Sequence, residues 1–172
     1  MPYKAFVLTS SDSGYAGERQ DLSGPLAMEL LRAAGWEIAG YALLPDDRDM
    51  LADKLREVCD SGEAQLLITT GGTGFSPRDN TPEATIAVCQ RLCPGIPEAM
   101  RAESLRITPM GCLSRETAGI RGNTLIINLP GSKKAATENF SAVIRAVGHG
   151  LAVLRGDSGD CAGLHKGGDG HG

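Results

Sequence analysis

The sequence has few aromatic residues and little excess charge. Phe, Trp and Tyr make up 4% of the 172 residues, whereas hydrophobic residues make up 41%, so the core must consist mainly of Leu, Ile, Val and Ala, as in many α/β proteins. The formal net charge is -4, and such a chain lacks the basic surface that attracts nucleic acid or anionic membranes. We therefore expect neither as a partner, and an anionic substrate needs a local binding site.

Long apolar runs and a cysteine framework are also missing. No apolar segment reaches the roughly 20 residues of a membrane-spanning helix, and the first residues do not resemble a signal peptide. The five cysteines are interpreted as reduced thiols, which favours a cytoplasmic location. Cys89 and Cys93 are predicted to share one helix face and to pack there rather than bind a metal.

The histidines cannot supply the usual hydrolytic chemistry. His149, His165 and His171 lie late in the chain, where they form no Ser-His-Asp set and no zinc ligand spacing. Catalysis would then depend on positioning the reactants and stabilising charge in the transition state, which is typical of phosphoryl or nucleotidyl transfer.

Buried strands alternate with amphipathic helices along the chain. This alternation predicts an α/β fold with three layers, in which helices cover both faces of a mostly parallel open sheet. The turn Gly122-Asn123 predicts one short antiparallel strand beside the last buried strand. One domain is predicted over residues 1–156, and the Gly-rich segment 157–172 is predicted to be a disordered tail. Strands are predicted at 5–9, 36–44, 65–70 and 124–129, and helices at 22–34, 51–58, 81–93, 96–107 and 133–154.

The strongest functional signal is the loop Gly71-Gly72-Thr73-Gly74, which follows the third predicted strand. Glycine lets backbone N–H groups approach an anion, although a tight turn at a strand end would also use it. The loop is neither a P-loop nor a dinucleotide-binding motif. Arg78, Asp79 and a helix start capped by Thr81 follow at once, which favours phosphate binding.

A second loop, Pro130-Gly131-Ser132, follows the last buried strand and leads into Lys133 and Lys134. Ser132 is predicted to cap the final helix. Two lysines in the first helical turn oppose the helix dipole. Either both are solvated, or a bound phosphate at the helix start relieves the conflict.

Two acidic residues are predicted at the same sheet edge. Asp46 follows the second strand and Asp79 ends the glycine loop. Carboxylates beside a phosphate repel it unless Mg²⁺ intervenes, and Mg²⁺ is commonly held by one or two carboxylates together with substrate phosphates. Asp46 or its neighbour Asp47 can instead cap the following helix.

The residues from Thr70 to Ala84 resemble the signature of the molybdopterin adenylyltransferase (MogA/MoaB) family, which is related to the N-terminal domain of gephyrin. Further segments agree, and the match spans about residues 4–154, although the chain departs from some relatives at Glu116. These segments are Leu8–Asp12, Leu44–Asp46, Glu103–Leu105, Leu113–Arg115 and Ala118–Gly122, together with Asn128–Ser132.

The resemblance implies a molybdopterin-binding domain that adenylylates molybdopterin with Mg-ATP and releases pyrophosphate. It also implies a homo-oligomer, trimer or hexamer, and a separate molybdenum-insertase protein as the downstream partner. Asp46 and Asp79 would bind Mg²⁺ and align the reactants, while Ser104 and Ser114 would line the pterin side. The remaining substrate-binding candidates are Gly71, Gly72, Thr73, Gly74, Arg78, Pro130, Gly131, Ser132, Ser10 and Asp12.

Two other interpretations remain open at this point. One is a pterin-binding carrier or assembly protein that has lost catalysis. The other is a protein of the same fold that acts on another nucleotide or pterin, as in the competence-damage-inducible proteins.

Overall fold

A computed structural model describes residues 3–157 and contains, in that range, one six-stranded sheet. The strands are β1 (Lys4–Ser10), β2 (Glu37–Leu44), β3 (Leu66–Thr70), β4 (Arg91–Leu92), β5 (Ala118–Arg121) and β6 (Thr124–Leu129). Their order across the sheet is β2-β1-β3-β6-β5-β4. Strands β2, β1, β3 and β6 run parallel to one another, whereas β5 is antiparallel to both β6 and β4. The predicted mostly parallel sheet and its antiparallel strand are confirmed.

Helices cover both faces of the sheet. They are α1 (Asp12–Tyr15), α2 (Ser23–Ala33), α3 (Arg48–Ser61), α4 (Thr81–Val88), α5 (Gly95–Ile107) and α6 (Lys133–Arg155), with a 3-10 helix at Pro109–Leu113. Strand residues alternate between two hydrophobic clusters because successive side chains point to opposite faces. Ile68 packs with Phe140 of α6 on one face, and Leu67 packs with Leu55 of α3 on the other. This three-layer arrangement brings the ends of β1, β2, β3 and β6 to one edge.

The segment after α4 differs from the prediction. The helix ends at Val88, and Arg91–Leu92 then pair with β5, so Cys89 and Cys93 do not share a helix face. The exposed two-residue strand has no alternating pattern to reveal it, and its pairing with β5 decides its conformation.

One of the two predicted helix caps, Thr81, is wrong, and the other, Ser132, is at the predicted position. Thr81 is the first residue of α4, and Asn80 holds the cap position without a side-chain hydrogen bond. Ser132 does lie at the cap of α6, but its side chain makes no capping hydrogen bond.

The predicted tail lies largely outside the described residues. Asp157 still bonds to Ala152 and pairs with Arg155, whereas the prediction for 158–172 falls beyond the described range. Within residues 3–157, no helix combines the length and hydropathy that crossing a bilayer requires.

Candidate functional site

The glycine loop connects β3 to α4 and touches the ends of both neighbouring strands. Gly71 and Gly72 have φ angles of 87° and 66°, in the region where glycine is favoured. A Cβ on Gly71 would lie 2.5 Å from the carbonyl oxygen of Ser10, and one on Gly72 would collide with Oγ1 of Thr81. Glycine is therefore required at both positions by conformation and by close packing.

The loop presents only part of its backbone to a ligand. The N–H of Gly71 donates to the carbonyl of Leu129 at 3.2 Å. The N–H groups of Gly72, Thr73 and Gly74 make no backbone hydrogen bond within residues 3–157. The last three residues can thus donate to an anion, whereas Gly71 shapes the turn.

Arg115 fixes this loop at several points. Its backbone N–H donates to the carbonyl of Thr73 at 2.9 Å, and its Nε donates to the carbonyl of Gly74 at 2.7 Å. Its Nη2 donates to the carbonyl of Asp79 at 2.7 Å, and its Nη1 pairs with Glu83. One guanidinium thereby holds the segment from Gly74 to Asp79 at both of its ends. Sequence reasoning did not include Arg115 among the site residues, because the preceding segment showed no clear pattern.

Asp79 folds back over the same loop. Its Oδ2 accepts a hydrogen bond from the N–H of Ser76 at 2.9 Å. A Cβ on Gly74 would lie 3.0 Å from that oxygen. The carboxylate is therefore in contact with the end of the glycine loop, as the sequence predicted.

Asp46 and Asp47 have separate tasks. The Asp47 side chain caps α3 by accepting hydrogen bonds from Asp49 and Met50. Asp46 instead accepts from Oγ of Ser10 at 2.5 Å and from the N–H of Asp12 at 3.0 Å. Since capping is provided by Asp47, the carboxylate of Asp46 remains at the strand ends.

Asp46 also lies against the glycine loop. A Cβ on Gly72 would be 3.4 Å from its Oδ1. Asp46 thus neighbours Gly72, and Asp79 neighbours Gly74. The structure brings both predicted carboxylates to one loop.

Arg78 is paired rather than isolated. Its Nε and Nη2 donate to the two carboxylate oxygens of Asp12, each at 2.9 Å. The hydrogen bonds from Arg78, followed by the one from the backbone of Asp46, lower the pKa of Asp12. Because Asp12 neutralises Arg78, the pair carries little net charge toward a substrate.

A polar cavity of about 370 Å³, which we call the Asp21 cavity, lies on one side of the glycine loop. Asp21 accepts hydrogen bonds from Oγ1 of Thr9 at 2.8 Å and from the hydroxyl of Tyr41 at 2.5 Å. Burial opposes ionisation, but these bonds and those from the backbone of Ser23 and Gly24 outweigh it and lower the pKa of Asp21. The cavity is also lined by Ser10, Gly71, Gly131, Ser132 and Lys133.

Asp21 was missed by the sequence reasoning. It stands just before α2, where an acidic residue is typical of a helix cap. Its bonds to β1 and β2 depend on the fold, so no local signal separates the two roles.

The second cavity, about 300 Å³, lies on the other side of the loop and is called the Ser114 cavity. Ser104 and Ser114 both line it, and Ser104 accepts a hydrogen bond from Nδ2 of Asn139 at 2.8 Å. The two serines predicted for the pterin side are therefore brought together. Further lining residues are Thr73, Gly74, Glu116, Pro130 and Asn139.

Glu116 is an unusual member of this cavity. Its side chain is 3% exposed, and neither carboxylate oxygen makes a hydrogen bond to the residues in 3–157. Burial raises the pKa of Glu116 to about 7, while the nearby Ser114 hydroxyl and Arg101 guanidinium limit the rise. An acidic side chain in this state is costly for folding.

The lysines at the start of α6 are exposed. Lys133 lines the Asp21 cavity, and Lys134 lies 4.0 Å from Glu138. One ammonium is thus placed beside a cavity, and the other belongs to the outer face of the helix.

Known proteins resemble this chain over most of its length. Residues 6–149 match the family described as the probable molybdopterin binding domain. The molybdopterin adenylyltransferase of Helicobacter pylori (strain J99) is 41% identical over 153 residues, covering 88% of this chain and 87% of that protein. Gephyrin of Dictyostelium discoideum is 39% identical over 158 residues, covering 86% of this chain and 22% of gephyrin.

Solved structures give the same result. The molybdopterin biosynthesis enzyme MoaB from Thermus thermophilus has a TM-score of 0.84 and 45% identity, covering 90% of this chain and 97% of that one. With the glycine loop, the two carboxylates and both serines in place, the chain belongs to the family of probable molybdopterin binding domains.

Proposed function

We propose that this chain is a molybdopterin adenylyltransferase. In this reaction, an oxygen of the molybdopterin phosphate forms a bond to the α-phosphorus of ATP. The bond between that phosphorus and the bridging oxygen of the leaving group breaks, and pyrophosphate departs. The relatives named for this activity support the proposal.

The observation that carries the proposal is the position of the glycine loop between two cavities. Gly71 lines the Asp21 cavity, whereas Thr73 and Gly74 line the Ser114 cavity. Substrates that enter from opposite sides would bring their phosphates together at the free N–H groups of Gly72, Thr73 and Gly74. A transfer between two phosphates requires such a meeting point.

We assign the nucleotide to the Asp21 cavity and the pterin to the Ser114 cavity. The first is lined by the cationic side chains of Arg19 and Lys133, which suit a polyanion. The second has Ser104 and Ser114, the pair that the family resemblance assigns to the pterin side. Pro130 faces the second cavity, while Gly131 and Ser132 face the first.

Magnesium fits this site as a shared ion. Among residues 3–157, no group of three His, Cys, Asp or Glu side chains is arranged to hold a metal. Asp46 and Asp79 each lie against the glycine loop, and each could give one oxygen to Mg²⁺ while the substrate phosphates complete its coordination. Bound there, Mg²⁺ would neutralise charge that develops on the phosphates.

The chain's own residues then do the positioning. Ser10 and the backbone of Asp12 orient Asp46, and Ser76 orients Asp79. Arg115 keeps the loop in the conformation that presents its N–H groups. Arg78 holds Asp12 by two hydrogen bonds and so supports Asp46 indirectly.

The assembly and surroundings are part of the proposal. We propose a homo-oligomer, trimer or hexamer, a cytoplasmic location and a molybdenum-insertase protein that receives the product. The retained segment from Arg78 to Glu83 favours an active enzyme over a binding-only relative.

The test is an assay of purified protein with molybdopterin and Mg-ATP. We expect adenylylated pterin and pyrophosphate in equal amounts, and loss of both in Asp46→Asn. Asp47→Asn is the matched control, since it changes the adjacent carboxylate to a residue that also caps helices well, and it should retain turnover. Tight pterin binding without product would support the binding-only alternative and reject the enzyme.

A further inference from the structure

Glu116 is a buried acid that the proposed reaction does not use. It lines the Ser114 cavity, and its side chain is 3% exposed. Both carboxylate oxygens lack a hydrogen-bond partner among the described residues. Buried polar groups in folded proteins nearly always have partners, so an unpaired carboxyl beside a ligand cavity needs an explanation.

Two polar side chains near Glu116, Arg101 and Asn139, donate to other groups. Nη1 of Arg101 donates to the backbone carbonyl of Glu116 at 2.9 Å, not to its carboxylate. Nδ2 of Asn139 donates to the carbonyl of Met100 and to Ser104. The Ser114 hydroxyl accepts from the N–H of Glu116 at 3.3 Å. The O–H of Ser114 is close enough to limit the rise in the pKa of Glu116, but neither carboxylate oxygen has a hydrogen-bond partner within residues 3–157, so a ligand can supply the missing donors.

A structural role would not favour glutamate here. An unpaired buried carboxyl lowers stability, and an apolar or amide side chain of similar size would avoid that loss. Residues kept at a cost to stability are typical of functional sites. The position of Glu116 in the wall of a cavity gives that function a location.

We propose that Glu116 recognises the pyrimidine edge of the pterin ring and so determines which bicyclic ring the Ser114 cavity accepts. The cavity is assigned to the pterin by the proposed function, on which this step rests. The pterin edge carries a ring N–H and an adjacent amino group, and the two oxygens of one carboxylate can accept from both. Glu116 would then obtain from the ligand the partners that the fold withholds.

The discriminating probes are hydroxymethylpterin phosphate and hydroxymethyllumazine phosphate. The second has a carbonyl in place of the amino group, and this oxygen would face the carboxylate as a second acceptor. Loss of a hydrogen bond to a charged group weakens binding roughly 10- to 100-fold. We expect the unaltered protein to prefer the pterin by about that factor, measured by equilibrium titration above pH 7, where the Glu116 carboxyl, with its pKa of about 7, is ionised.

Substitutions of Glu116 should remove this preference. In Glu116→Leu, the two probes should bind with similar affinity. In Glu116→Gln, the preference should disappear or reverse, because the amide can donate to the lumazine carbonyl. Glu98→Gln, the same change at an exposed position of α5, should leave the preference intact. A purely structural role would not produce a reversal.

Each result decides between the alternatives. A protein that prefers the pterin while its Glu116 variants keep that preference would overturn the role of Glu116 and leave the proposed function standing. Equal binding of both probes by the unaltered protein would do the same. Failure to bind or adenylylate molybdopterin would overturn both. Loss of thermal stability in Glu116→Leu and Glu116→Gln would indicate a structural residue and would also reject the proposal.

Discussion

The two cavities beside the glycine loop hold their acidic groups in opposite ways. Asp21 accepts hydrogen bonds from Thr9, Tyr41 and the backbone of α2, and its pKa is lowered. Glu116 accepts none within the described range, and burial raises its pKa to about 7. The Asp21 side is therefore complete before a ligand arrives, whereas the Ser114 side leaves one carboxyl to be satisfied by the ligand.

This contrast has a consequence for recognition. A preorganised polar site binds charge with little rearrangement, which suits the phosphates and sugar of a nucleotide. A site with an unpaired buried group rejects ligands that cannot supply the missing partner. The loop between the two cavities can thus align two substrates that are selected by different means.

The largest expected effect concerns Asp79, whose carboxylate contacts the end of the glycine loop at Gly74. Asp79→Asn should lower the rate of adenylyl transfer by about 100- to 1,000-fold, because a neutral amide would hold the proposed Mg²⁺ less tightly. The fold should remain intact, as judged by circular dichroism. Asp53→Asn, on the exposed face of α3, is the control. Unchanged turnover in Asp79→Asn would remove this residue from the mechanism.

The next effect concerns stability on the Ser114 side. The folded-state pKa of Glu116, about 7, lies above its ordinary value of 4.5, so the folded protein binds more protons between these values. The contribution of Glu116 to the free energy of unfolding is therefore largest below pH 4.5, and it is lost as the pH rises toward 7.

The Glu116→Gln variant should not lose stability as the pH rises through this range. Its free energy of unfolding should exceed that of the unaltered protein by up to about 3 kcal/mol at neutral pH, with little difference at low pH. Arg101 on α5 donates to the backbone of Glu116 and Glu138 on α6 lines this cavity, and both remain in the variant. Urea unfolding at several pH values measures the difference. A gap that does not grow between pH 4.5 and 7 would contradict the raised pKa.

A smaller effect is expected for Arg115, whose guanidinium bonds to the carbonyls of Gly74 and Asp79. Arg115→Lys should slow transfer roughly tenfold, because a lysine cannot reproduce the several directed hydrogen bonds of the planar group. The measurement is kcat with saturating substrates. Arg121→Lys makes the same change where the guanidinium pairs with Asp60, at the opposite end of the sheet, and should have no effect on kcat. Equal kcat values for Arg115→Lys and Arg121→Lys would show that the hydrogen bonds from the Arg115 guanidinium are not needed for transfer.

The smallest effect concerns the start of α6. The double variant Lys133→Ala and Lys134→Ala should weaken ATP binding by a few-fold. Stability should stay unchanged or rise by roughly a few tenths of a kcal/mol, because cations at this helix end oppose the dipole. Calorimetric titration and urea unfolding test the two parts. A clear loss of stability would mean that the lysines support the fold.

The sequence was informative where local rules decide the structure. Apolar runs such as the one at Leu66–Thr70 predicted the parallel strands, and the apolar spacing of α6 predicted its buried face. Gly71 and Gly72 indicated a constrained loop, and the adjacent carboxylates indicated a charged site. These features follow from periodicity and backbone conformation, which a single sequence carries.

Other features depend on contacts between distant segments. The two-residue strand Arg91–Leu92 exists because β5 lies beside it. Arg115 bonds to a loop that lies 41 residues earlier at Gly74, and Asp21 bonds to two strands. Glu116 shows no sign in the sequence that it is buried, since glutamate is ordinarily exposed. Such positions become visible only when the fold has placed them.

The most direct test of the two-sided site is a crystal structure of the protein with molybdopterin and another with AMP. We predict the pterin ring in the Ser114 cavity near Ser104 and Glu116, and the nucleoside in the Asp21 cavity. The phosphates of both ligands should meet at the N–H groups of Gly72 to Gly74. Binding of both ligands in one cavity, or phosphates placed away from this loop, would contradict the account.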